Sequence, residues 1–183
     1  MSTKTFVDGR QRYNLAVHPD IQQARDALFD AIRDLAPDQA DTAAGGKWSV
    51  AGIVEHLTLS YAKSAAGMER RRQKGPGTPG RSRTLRQRLQ QFVIVTLGYF
   101  PPGRESPTAV VPTGRPYRVL LADLNRVFGE LDASLTATSR ALGGSRPVLD
   151  HPVLGPFSVN QWRKFHLVHT RHHAKQIRTR RQA

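Results

Sequence analysis

WRKFHLVHTRHHAKQIRTRR, residues 162–181, sets four of the chain's seven histidines within eight positions and surrounds them with Arg and Lys. It reads either as a basic, His-rich tail or as a helix with a charged outer face and an inward face of imidazoles. Helical geometry separates the two. With Trp162 at zero and about 100° per residue, His166, His169, His173 and Gln176 fall at roughly 40°, −20°, 20° and −40°, on one stripe. Phe165 and Ile177 flank that stripe, while Arg163, Lys164, Arg171, Lys175 and Arg178 fall on the far side and are expected to face solvent. His169 and His173 share a face at i, i+4, a spacing that lets two imidazoles meet one ion. His172 lies at the edge of the stripe. Buried imidazoles need partners, because an unpaired polar group in a core costs on the order of 1–3 kcal/mol. A metal is expected at His169 and His173, with packing or supporting roles for His166, His172 and Gln176. A core histidine bonded to a carbonyl is the alternative for each. Position 170 is Thr, so the segment is not the H-E-x-x-H of zinc proteases.

Outward from this helix, the rest of the chain also reads as helical. HPDIQQARDALFDAIRDLAPD carries Ile21, Ala24, Leu28, Ile32 and Leu35 at helical spacing between Pro19 and Pro37. A second long helix is expected from the Ser49 N-cap to about Gln73, with Trp48 and Ile53 as a staple across its start. RTLRQRLQQFVIVTL, from Arg83, reads as a shorter helix, and Tyr117 to about Leu142 as a strongly amphipathic one stopped by Gly143-Gly144. DHPVLGPFSVNQW reads as a turn, then a helix start with Ser158 and Gln161 as a capping box and Phe157 and Trp162 as a staple. The last helix is expected from about Val159 to near Arg180. His18 and His151 each precede a proline, where turn and capping roles are expected. The fold class is therefore all-α: one four-helix bundle with long crossover loops and one shorter helix. Residues 1–17 form an N-terminal arm, 74–82 and 98–116 loops, and 178–183 a basic tail. The second loop could act as a lid or as a homodimer contact.

Composition restricts the chemistry. The 183 residues suit a single domain, and no apolar run approaches the roughly 18 residues of a membrane span. The start, MSTKTFVDGRQRYNL, has no apolar core of a secretory signal, so a cytoplasmic location is expected. With no cysteine, any metal is held by His, Asp, Glu or carbonyl groups, and any sulfur chemistry uses a thiol from elsewhere. The net charge of +14 admits a nucleic-acid partner, most densely at Arg70 to Arg88, where eight basic residues accumulate. No aromatic is interleaved there, so nucleic acid is an alternative and not the favoured reading.

A third metal ligand has to come from another helix. His56, in WSVAGIVEHLTLSY, is the candidate; Gly52, Ser60, Lys63 and Gly67 share its side of the helix, and small residues there leave room for a substrate. A partly exposed His on a mixed face is the alternative. Taken together, Trp48-Ser49, Glu55-His56-Leu57 and His169-Thr-Arg-His172-His173-Ala-Lys-Gln176-Ile177 resemble the DinB/YfiT-like superfamily of metal-binding four-helix bundles. HPVLGPFSVNQWRKFHLVHTRHHAKQI is similar to its DUF1569 branch, although Ala174-Lys175 stands where many members have Arg-Gly. The resemblance implies that His56, His169 and His173 coordinate one divalent metal (zinc, nickel or iron), with His166, His172, Gln176 and Ser60 around them. It further implies an enzyme for a small-molecule substrate, of the transferase or isomerase type that uses low-molecular-weight thiols such as bacillithiol or mycothiol. A metal-dependent hydrolase, a basic nucleic-acid-associated bundle and a purely structural metal or His cluster are the alternatives. Glu55 adjoins His56 and so points about 100° away, which leaves no evident general base.

Overall fold

The computed structural model describes residues 17–43, 45–75, 82–100 and 106–181. The N-terminal arm up to residue 16, Arg81 of the basic run, residues 76–81 and 101–105 of the two loops, and the last two residues of the basic tail lie outside them. Among the described residues the order is α1 (Pro19–Ile32), α2 (Pro37–Asp41), α3 (Val50–Gln73), α4 (Leu85–Gln91) continued by a π-helical turn (Phe92–Thr96), a short 3-10 turn (Thr108–Val110), α5 (Tyr117–Leu142), strands β1 (Pro147–His151) and β2 (Gly155–Ser158), and α6 (Val159–Arg180).

The four long helices pack as two close pairs, α3 with α5 and α1 with α6, while α3 and α6 meet over a shorter stretch. Leu28, Ile53, Leu57, Leu120, Leu131 and Ile177 fill the core between them. The starts follow the local chemistry of the chain. Ser49 accepts from the Gly52 amide, and Ser158 and Gln161 form a reciprocal capping box, so α3 and α6 begin where their histidines are set at fixed depths. The Phe157 and Trp162 rings pack edge to face at 5.3 Å. His18 caps α1, its Nδ1 accepting from the Asp20 amide.

The structure departs from the sequence reading in three places. The DHPVLGPFS segment is an antiparallel β-hairpin, with Leu149 opposite Phe157 and His151 opposite Gly155, and not a simple turn. Its two strands, each carrying a proline, are too short for a period-two pattern to show. Two glycines seat the hairpin. Gly155 adopts φ +78°, with Gln87 lying where a Cβ would be, and a Cβ on Gly67 would come within 2.7 Å of Leu149 Cδ2. Second, Arg163 does not face solvent: it is buried, its Nη2 donating to Thr136 Oγ1. The α6 stripe that covers α5 is wider than a 100° projection with an apolar threshold suggests, and a long Arg stem packs like a hydrophobe. Third, the extra turn α2 escapes the pattern because five residues carry no period. FVIVT, ambiguous between helix and strand, winds as a wide turn that buries Ile94 and Val95 and leaves Phe92 outside.

Candidate metal centre

The α3 and α6 starts place His56 opposite His169 and His173. All three are buried, and the ligand-capable atoms of the three rings lie within 4.8 Å of one another. The geometry at each second nitrogen defines the tautomers. His56 Nδ1 lies 2.8 Å from the Val110 carbonyl, which only accepts, so Nδ1 carries the proton and Nε2 presents a lone pair. His173 Nδ1 lies 2.8 Å from Gln176 Oε1, again an acceptor, while the Gln176 amide nitrogen donates to His172 Nε2. Both bare nitrogens face His169 Nε2, at 3.3 Å from His56 and 3.1 Å from His173. One N–H at most can occupy that meeting point, whereas a cation would satisfy three lone pairs at once. The two separations from His169 Nε2, 3.3 and 3.1 Å, match those of neighbouring ligands on one ion, since bonds of about 2.0–2.1 Å put them about 2.8–3.4 Å apart between octahedral and tetrahedral angles. His169 Nδ1 is enclosed and has no hydrogen-bond partner among the described residues.

Electrostatics agree with a donor role. Burial holds His56 below the ordinary imidazole range, takes His173 down to about 3 and lowers His169 strongly, and the rings depress one another further. Neutral imidazoles are the form that binds a metal.

The surrounding residues differ in what they do. Gln176 joins His173 to His172 and fixes the His173 ring. Ser60 lines the cavity, but its hydroxyl donates to the His56 carbonyl and not to the ring. His172 is half-buried against Phe100, ring centroids 4.8 Å apart. His166 is fully buried, stacked on Trp162 and edge-on to Tyr61, with neither nitrogen partnered among the described residues. His151 serves its turn, Nδ1 accepting from the Val153 and Leu154 amides.

Glu55 and Val110 are the parts that sequence reasoning missed. Glu55 does point away from the metal side, yet it is buried, and its carboxylate accepts from Thr113 Oγ1 at 2.6 Å and from the Gly114 and Arg115 amides. Burial raises its pKa, but these hydrogen bonds outweigh that and hold it low. The 106–116 segment is thereby tied to α3, which sets the Val110 carbonyl over His56. A Glu directly before a candidate ligand, near the start of a helix whose first turn is buried, was the only sequence signal.

The cluster opens onto a cavity of about 780 Å³ between α3 and α6, walled by Trp48, Ile94, Phe100, Val110, Leu154 and Phe165. Trp48 and Phe165 each lie near a candidate ligand, with ring centroids 5.2 Å from His56 and 5.1 Å from His169.

Two imidazoles outside the cluster predict the acid limit of the fold. Burial lowers His151 to about 4 and His166 to about 3. An unfolded chain takes up these protons below about pH 6.5, whereas the folded chain does not until about 4 and 3, so the unfolded state binds more protons in between. Stability is therefore complete above about pH 6.5 and falls as pH drops, by on the order of 2 kcal/mol per imidazole at pH 4.5. Urea midpoints of metal-free protein measured from pH 7.5 to 4.5 should show this slope, and His166→Leu should flatten it. An equal slope in that variant would remove His166 from the account.

Fold and site together define a helical-bundle protein whose three buried histidines could hold a metal ion beside an open cavity. The chain belongs to the DinB superfamily, whose family model matches residues 20–177, from the first turn of α1 almost to the end of α6. No curated protein and no solved structure matches the chain. No helix among the described residues is long and apolar enough to cross a membrane.

Proposed function

We propose that the protein is a metal-dependent enzyme that joins an external low-molecular-weight thiol to an electrophilic small molecule, with His56, His169 and His173 as ligands to one divalent ion. The observation that carries this reading is the convergence of three Nε2 atoms whose opposite nitrogens are fixed where partners exist, at the wall of a cavity and not inside a closed core. Zinc, nickel or iron held by three neutral imidazoles would keep its full charge and an open position, and so supply the Lewis acidity that depresses the pKa of a thiol presented to it.

The chain's own residues do the rest. Val110 and Gln176 hold two rings in the ligating tautomer, and Trp48, Phe100 and Phe165 give the cavity beside them apolar walls. The chain contributes no thiol of its own. Attack by water would draw on a general base, and Glu55 is committed to the loop by three hydrogen bonds.

Protein purified without a His tag should contain close to one metal per chain by elemental analysis. Loaded protein should conjugate monochlorobimane with cysteine or glutathione faster than the uncatalysed reaction, lose that rate on chelation and regain it with metal. Full metal occupancy with no thiol-dependent product would overturn the transferase reading. Absence of bound metal after reconstitution would overturn the ligand set.

A further inference from the structure

The cavity walls are electrically one-sided. Among the described residues, Lys47, Lys63, Arg70 and Arg180 line it, against a single acid, Asp150. No ion pair or hydrogen bond engages any of these four cations among the described residues. Arg180 differs from the others. It falls seven residues after His173, at about 700° and hence on the same inward stripe, roughly 10 Å further along the axis. Side chains on a helix lean towards its N-terminus, so Arg180 reaches back towards His173. Its Nη1 is enclosed and has no hydrogen-bond partner among the described residues. Read as part of a basic tail, this residue is instead a wall of the site.

We propose that Arg180 is the anchor for a carboxylate on the molecule that occupies this cavity, whose apolar body lies against Trp48, Phe100 and Phe165. An enclosed guanidinium nitrogen with nothing to donate to is costly, and a carboxylate oxygen satisfies it in the planar geometry that Arg favours. The charge balance points the same way: three neutral imidazoles bring no negative charge, so a cation at the cluster would add to four unpaired ones. Arg180 lines the same cavity as His56, His169 and His173, so the guanidinium and the cluster share one space. The inference rests on the cavity being the substrate site of the proposed enzyme, and it adds the class of substrate: an amphipathic organic acid.

A matched pair of probes, 4-phenylbutyrate and 4-phenylbutyramide, isolates the charge. Calorimetric titration of wild-type protein, metal-free and metal-loaded, should show the carboxylate bound about tenfold or more tightly than the amide, the value of one charge-assisted hydrogen bond. Arg180→Gln should remove most of that preference in both states while leaving metal content unchanged. Arg180→Lys should restore part of it. Arg178→Gln, on the exposed face of the same helix, should keep it whole. An undiminished preference in Arg180→Gln, an equal loss in Arg178→Gln, or no preference in wild type would each overturn the assignment. The metal-free arm separates this result from the metal reading, since a chain that fails to bind metal can still discriminate the two probes there.

Discussion

Replacing His169 by Ala should take the protein from close to one metal per chain to none at micromolar concentrations. His169 Nε2 is the hinge of the cluster, 3.3 Å from one partner and 3.1 Å from the other, so its loss leaves His56 and His173 without a common third donor. Structural zinc sites with four ligands bind with about 10–16 kcal/mol, which is roughly 3 kcal/mol per ligand and about 10²- to 10³-fold in affinity for each one lost. The same change should cost the metal-free fold little. His169 is buried with an unpartnered Nδ1, so truncation removes an unsatisfied polar atom along with the packing of the ring against Phe165. Competition with a chromogenic chelator measures the first effect and thermal melting with excess chelator the second. A variant that melts far below wild type without metal, while its metal affinity is unchanged, would show His169 to be a core residue and not a ligand.

The asymmetry between what the sequence disclosed and what it hid has a physical basis. The helices were legible because their information is local: Ser49, Ser158 and Gln161 act within one turn, and apolar periodicity runs for 14 to 26 residues in the long elements. The α6 stripe was legible for the same reason, and it carried His169 and His173 with it. His56 could be nominated but not placed, because its position opposite α6 depends on how two separate helices pack. The Val110 carbonyl was invisible, since every residue has one and only the path of the 106–116 segment brings it to His56. Arg163 misled because charge was taken as a marker of the outer face, and Arg180 because it was counted with the basic tail. One is buried against Thr136, and the other lines the cavity. A long cationic side chain can reach inward from the margin of a stripe. The hairpin depends on fit, with Gly67 on α3 leaving space for Leu149 from a strand some eighty residues later.

Glu55→Gln should damage both fold and metal binding although the residue does not line the cavity. The native carboxylate accepts three hydrogen bonds, from the Thr113 hydroxyl on one oxygen and from the Gly114 and Arg115 amides on the other, and an amide of the same shape keeps a neutral oxygen for the two backbone amides and turns its NH₂ to the Thr113 hydroxyl, which has to rotate to accept. Replacing charge-assisted hydrogen bonds by neutral ones in a buried place costs about 1–3 kcal/mol, enough to lower the melting temperature by several degrees in a chain of this size. The effect should extend to the metal. The 106–116 segment carries the Val110 carbonyl, and when its tether fails, His56 loses the acceptor that fixes its proton on Nδ1 and its lone pair on Nε2. Loss of such an orienting partner lowers metal affinity about 10–100-fold. Acid should mimic the mutation in wild type. The folded pKa of Glu55 is held below its unfolded value, so its contribution is present above the ordinary Glu range near 4.3 and is lost as pH falls through the lower folded value. Metal competition and melting of the variant, measured together, give the decisive comparison. Destabilisation with unchanged metal affinity would mean that the segment only packs against α3. A joint loss, relieved for metal affinity by saturating ion but not for melting with chelator, would mean that Glu55 positions His56 through the loop.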